Sequence, residues 1–138
     1  MTFKTLLGKR RRVKKPIKYL IDWEKGSRSK LQAKVKNFLK VFWDGDVVFE
    51  EFPVVGSRLT IDFYNATKNI AIEVQGQQHT SYSKFFHGSR TGYWKSMKRD
   101  VQKENWLKYN NFEYIEVNYD EIDKLSKSFF KKQFNVIL

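Results

Sequence analysis

The sequence contains no cysteine, which excludes a disulfide framework and any thiolate zinc site. It also lacks an apolar run long enough to cross a bilayer. Its opening, MTFKTLLGKRRRVKK, places the charges after a short apolar patch, the reverse of a secretion signal. A cytoplasmic location with no membrane partner is therefore expected. Acidic residues are comparatively scarce, with 15 Asp and Glu against 27 Lys and Arg, a net charge of +12. Such an excess favours polyanions through counterion release and faster encounter. Nucleic acid is the expected partner. An anionic membrane surface fits less well, since no free amphipathic helix stands out, and a merely soluble basic protein is the plain alternative. With 138 residues, 41% apolar and 17% aromatic, the chain suits one compact domain with a real core rather than wholesale disorder.

Two regions follow from the charge pattern. Residues 1–26 read as a basic N-terminal arm built on KRRRVKK, with a Tyr19–Trp23 patch that docks on the rest. The basic run is expected to be disordered alone and to order on a phosphate backbone. Residues 27–138 read as a single domain. Ser27 or Ser29 caps a helix that runs to about Phe42. Leu31, Val35, Phe38, Leu39 and Phe42 form its apolar stripe. Lys30, Lys34, Lys36 and Lys40 cover much of the remainder, and Gln32 sits at the stripe's edge, able to reach the sheet. VVFEEF predicts a first strand, residues 57–65 a second and 69–75 a third, with NATKN as a hairpin link. Residues 76–92 read as a loop. A long helix follows from Tyr93 to about Tyr109, with Tyr93, Trp94, Met97 and Val101 on one face. FEYIEV gives a fourth strand, and residues 119–135 look helical.

The hairpin carries the chemistry. Alternation along a strand puts Leu59, Ile61 and Phe63 on one face and Asp62 on the other. In the next strand Ile70, Ile72 and Val74 oppose Glu73 and Gln75. If Thr67 and Lys68 centre the turn, Asp62 stands across from Glu73, with Cβ atoms about 5 Å apart. Like charges that close need a positive charge between them. Carboxylate oxygens suit Mg²⁺, with Mn²⁺ as a substitute, and such an ion activates water and neutralises a phosphodiester under attack. The alternative is a solvent-facing pair of acids. Gly76 permits close backbone approach, and His79, soon after Glu73, is a candidate acid, base or metal ligand. On the second long helix Asp100 and Lys103 are neighbours on the surface. Asp100 borders the apolar stripe and is placed to face the same pocket, or else forms a plain exposed ion pair with Lys103.

Together the string IDFYNATKNIAIEVQGQQH and the later KRDVQKENW resemble the PD-(D/E)XK nuclease superfamily, in its very short patch repair branch, and the EDxHD homing endonucleases often found in phage genomes. The resemblance covers about residues 28–118. It implies an α/β (α+β) fold with a restriction-endonuclease-like core: helix, three strands, helix, strand, around a mixed central sheet. It implies a Mg²⁺-dependent endonuclease acting on double-stranded DNA, with Asp62 and Glu73 as metal ligands and His79 and Asp100 assisting. Gln75 stands where many relatives carry lysine, Gln32 where they often carry glutamate, and Ile61 where the motif has proline. Lys103 or His79 is the implied substitute for the missing lysine. Lys9, Arg10, Arg11, Arg12, Lys14, Lys15, Lys30 and Lys34 are the expected backbone-binding cations. A phage origin implies a bacterial host cytoplasm and a mobile-element role. The resemblance leaves open a homodimer or a larger nuclease or replication assembly. The rival functions are a catalytically weak or inactive DNA-binding module and a structure-specific nuclease for junctions or flaps.

Overall fold

Helix α1 spans Lys30–Trp43 in the protein's structure, a computed structural model that describes residues 1–76 and 90–138. Its start is fixed by Ser29, whose side chain accepts a hydrogen bond from the Gln32 N–H, as an N-cap requires. Strands β3 (Val48–Pro53), β4 (Thr60–Asn65), β5 (Ile70–Gln75) and β6 (Glu113–Asn118) form a four-stranded sheet in that order. β3, β4 and β5 are successively antiparallel, whereas β6 runs parallel to β5. The parallel pair needs a crossover, and helix α2 (Arg90–Tyr109) supplies it. The fold is thus α+β with a mixed four-stranded sheet. The C-terminal segment forms a 3₁₀ turn (Tyr119–Lys124) and helix α3 (Lys127–Phe134), in place of one continuous helical stretch.

Both faces of the sheet are covered. On one face Val35, Leu39 and Trp43 of α1 pack with Val48, Phe63, Ile70, Ile72, Ile115 and Val117 of the sheet. Ile122 and Phe130 from the C-terminal segment complete that layer, and Phe130 stacks on Phe38. The other face holds Phe49, Phe52, Ile61, Tyr64 and Ala71 against Trp106 and Leu107 of α2. This selection corrects the expected stripe on α2 at Met97 and Val101, while the Tyr93 and Trp94 side chains lie outside the described residues. Met97 and Val101 are exposed, while Trp106 and Leu107, a turn or more later, are fully buried.

The N-terminal segment also differs from the expected free arm. Strands β1 (Thr2–Lys4) and β2 (Arg10–Arg12) form an antiparallel hairpin, turned at Gly8 with φ +83°. Phe3 and Val13 are buried in the second layer, and the Phe3 ring meets Phe52, Tyr64, Trp106 and Phe112. Asn110, just past the end of α2, clamps the hairpin, accepting from the Lys4 N–H at 2.8 Å and donating to the Lys4 carbonyl at 3.1 Å. Two apolar side chains and one amide clamp therefore outweigh the self-repulsion of the basic run. The arginines themselves remain exposed. The Tyr19–Trp23 patch docks as expected, through a Leu20–Phe49 bridge and an Ile21 N–H to Val48 carbonyl bond.

If Phe3 anchors the hairpin, Phe3→Ala lowers stability to unfolding by about 3 kcal/mol, the usual cost of emptying a buried aromatic site. Urea denaturation followed by circular dichroism measures it. A change below about 0.5 kcal/mol, typical of surface substitutions, would mean that the hairpin does not pack on the core.

Candidate active site

The turn Ala66–Asn69 sets the register of the β4–β5 hairpin, with Asn69 at φ +59°, a conformation asparagine tolerates. The ladder pairs Asn65 with Ile70, Tyr64 with Ala71 and Phe63 with Ile72. The next positions in that register are Asp62 and Glu73. Both are buried, at 8% and 3% exposure, and their carboxyl groups hydrogen bond to one another. Asp62 Oδ2 also accepts from the Val74 N–H at 2.8 Å. The pair therefore stands where the ladder ends, and a carboxylate takes a backbone donor of the neighbouring strand.

Alternation fails at this point, which corrects the expected sharing of one face by Ile61 and Phe63. Ile61 lies in the layer under α2, and Phe63 in the layer under α1. On β3 the same break appears: Phe49 and Phe52, three residues apart, share a face. Glu51 lies in the break with φ +53°, between the pairs Glu50–Phe63 and Phe52–Ile61. A residue in the left-handed region inside a strand shifts the side-chain phase by one and bends both strands. The shift frees Asp62 from the apolar layers.

Electrostatics separates the two acids. Burial pushes the Glu73 carboxyl well above its ordinary range, and the Asp62 charge beside it adds to the shift. Burial raises Asp62 as well, but the Val74 N–H and Lys103 oppose that rise. Both carboxyls are therefore held above their ordinary range, and the pair favours a shared proton over two charges. Lys103 Nζ lies 3.3 Å from Glu73 Oε1, although that oxygen accepts no well-formed hydrogen bond. Asp100, one turn earlier on α2, is half-buried, and its charge reaches Tyr114, as does that of Glu73. Gln75 is buried at the end of β5, on the face that alternation gives Glu73. His79 lies outside the described residues.

Gln32 does reach the sheet, but it meets a second acidic pair. Its Nε2 donates to Glu50 Oε2 at 2.9 Å and to Glu51 Oε1 at 3.0 Å. Glu51 also accepts from Thr60 Oγ1 at 2.9 Å and pairs with Arg28 at 3.3 Å, and its charge raises the Asp62 carboxyl. Lys36, expected on the solvated side of α1, is instead 2% exposed. Its Nζ donates to Glu50 Oε1 at 2.8 Å and to the Lys25 carbonyl at 3.0 Å. Glu50, Glu51 and Lys36 are thus site neighbours that the sequence reading missed. Their signal was the run EE inside an apolar strand, and the i, i+4, i+7, i+11 spacing of Gln32, Lys36, Leu39 and Trp43 on one helix face.

Two hard-oxygen carboxylates with a raised proton affinity suit a hard divalent cation. Mg²⁺ needs no more from protein than one or two carboxylates, with water and phosphate completing its shell. Among the described residues no group of three or more Asp, Glu or His side chains is arranged to hold a metal. Asp62 and Glu73 are the two described carboxylates that could contribute to holding an ion at this place. The candidate backbone-binding cations Lys9, Arg10, Arg11, Arg12, Lys14, Lys15, Lys30 and Lys34 are all exposed.

No known protein family and no solved structure matches the chain. One curated relative is an uncharacterized protein, 033L, of Invertebrate iridescent virus 3, 33% identical over 67 residues. The match covers 49% of this chain and 34% of that protein, so the chain spans about a third of the length of the curated relative it matches. Among the described residues no helix is long and apolar enough to cross a membrane.

Two stability measurements check this electrostatic arrangement. Glu73 binds its proton more tightly folded than unfolded, so its burial costs stability as pH rises above the unfolded value near 4.3 and on through the folded value. Glu73→Gln removes that cost, while Lys103, partly exposed, turns to water. Without divalent ions the variant is expected to melt with wild-type Glu73 at pH 4 and progressively above it toward pH 7. Equal melting temperatures across that range would contradict a protonated, buried Glu73. Separately, Lys36→Met leaves Glu50 without its cation and is expected to cost about 3 kcal/mol. Adding Glu50→Gln is expected to recover part of the loss in a double-mutant cycle. Full additivity would show that the two do not interact.

Proposed function

We propose that the protein is a Mg²⁺-dependent endonuclease of the PD-(D/E)XK type, hydrolysing phosphodiester bonds in double-stranded DNA. The observation that carries this reading is the contact between the buried carboxyls of Asp62 and Glu73, with Lys103 beside them. The succession α1, β3, β4, β5, α2, β6 supports it, since it repeats the helix, three-strand, helix, strand order of the restriction-endonuclease-like core. The net charge of +12 supports a polyanionic substrate.

In this reading Asp62 and Glu73 would hold the metal. The ion supplies water activation and neutralises charge on the attacked phosphate. The Val74 N–H keeps Asp62 aimed along the end of β5. Lys103 takes over the role of the lysine that Gln75 replaces, reaching from α2 what the strand position no longer offers. It stabilises ionised Glu73 and sets a cation beside the reacting phosphate. Asp100, on the sheet-facing side of α2, and His79 are candidates for proton transfer or water positioning. Gln32 orients Glu50 and Glu51 behind Asp62. Lys36 fixes Glu50 in turn.

Incubation with supercoiled plasmid and Mg²⁺ or Mn²⁺ tests the reading. Cleavage is expected for the unsubstituted chain and absent for Asp62→Ala and Glu73→Ala, with Lys103→Ala slowed about a hundredfold. Binding to plasmid with no cleavage under either metal would leave the DNA-binding module as the function. Preference for branched over linear duplex would identify a junction or flap nuclease.

A further inference from the structure

A groove of about 380 Å³ runs between the N-terminal hairpin and the turn that joins β3 to β4. Arg11, Arg12 and Lys14 line one side, Gly56 and Ser57 the other, and Tyr19 forms part of its wall. Its size is that of a small-ligand cleft. Three cationic residues are among its lining, and no carboxylate lines it. Among the described residues none of the three makes an ion pair. Elsewhere the chain pairs cations that are buried or half-buried: Lys36 with Glu50, Lys68 with Asp46 and Lys103 with Glu73. Unopposed charge gathered in a concave site repels itself and concentrates anions.

The groove is also shaped to leave its cations free. Arg11 lies opposite Phe3 in the hairpin, so the burial of Phe3 fixes the strand from which the guanidinium projects. Gly56, at φ +86°, brings the turn close: a Cβ there would stand 3.0 Å from Thr5 Cγ2 and 4.0 Å from Arg11 Nη1. Tyr19 is held against Phe52 by an edge-on ring contact, so its position is set by the core. Cations along a groove with an aromatic wall are what a nucleic-acid strand meets in proteins that track its backbone.

The groove reaches β3 near Glu51, whose charge acts on Asp62. Pro53 lines it and pairs with Thr60, whose hydroxyl holds Glu51. Pro53 is two residues from Glu51 along β3, at most about 7 Å. We infer that this groove binds the sugar–phosphate backbone of the substrate strand beside the bond held at Asp62 and Glu73, with Arg11, Arg12 and Lys14 on its phosphates. The inference rests on the nucleic-acid reading above and gives that substrate a specific path across the protein.

The test measures binding alone, with the full chain, a fluorescein-labelled DNA duplex and a chelator to prevent cleavage. Anisotropy across a salt series gives the slope of log K against log salt. The variant Arg11→Ala/Arg12→Ala/Lys14→Ala is expected to lower that slope by about 2.7, three phosphate contacts. A control of equal charge, Lys127→Ala/Lys131→Ala/Lys132→Ala, removes exposed lysines of α3, which packs on the opposite face of the sheet, and is expected to lower it by less than half as much. Arg11→Lys/Arg12→Lys keeps the charge and is expected to keep the slope, which guards against a folding defect in the alanine variant. An unchanged slope in the groove variant, an equal fall in the control, or a lost slope in the lysine variant would overturn the groove assignment and leave the carboxylate site untouched. Failure of the unsubstituted chain to bind would overturn the nucleic-acid reading itself.

Discussion

Two acidic groups placed side by side out of water are the constraint around which the sheet is arranged. At about 5 Å and an effective dielectric near 20, two ionised carboxylates repel by roughly 3 kcal/mol, before any cost of desolvation. That is a sizeable part of the whole stability of a small domain. The protein relieves it by raising the proton affinity of the pair, whose carboxyls hydrogen bond to one another. The Val74 N–H and Lys103 supply what positive potential the site has. A folded chain that carries such a pair gains from any ligand that brings two positive charges between them.

The surrounding structure follows from the need to keep Asp62 out of the apolar layers. Regular alternation from Ile61 to Tyr64 would have put Asp62 and Tyr64 under α2 together. The left-handed Glu51 on the neighbouring strand breaks that alternation, so that Ile61 and Tyr64 bury while Asp62 faces Glu73. Glu51 is then held by Gln32, Thr60 and Arg28, and Glu50 beside it by Gln32, Ser27 and Lys36. A fully buried lysine is costly unless well paired, and Lys36 meets both a carboxylate and a carbonyl. Strain at Glu51 and burial of Lys36 serve the same end. Both fix the direction of strands β3 and β4 where Asp62 projects.

Much of this was legible in the residues because two periodicities are hard to misread. The α1 stripe and its Ser29 cap, the four core strands and the turn-defined register that joins Asp62 to Glu73 all follow from local pattern. Three features did not. Lys36 was read as solvated, since a lysine beside an apolar stripe is usually so; only the EE pair on a strand packed beneath it turns the choice. The KRRRVKK run concealed Phe3 and Val13, whose burial depends on rings distant in sequence. The α2 stripe was misplaced because that helix carries apolar residues on more than one face, and the sheet selected Trp106 and Leu107 over Met97 and Val101. In each case long-range packing decided between locally equal alternatives.

The central claim is that Asp62 and Glu73 form one divalent-cation site whose occupancy competes with a proton. Calorimetric titration with Mn²⁺ near neutral pH, repeated in buffers of different ionisation heat, tests it without nucleic acid or catalysis. The account predicts one ion per chain, bound with release of a proton and more tightly as pH rises, and no such binding in Asp62→Ala. Binding that survives Asp62→Ala unchanged, or that releases no proton, would contradict it.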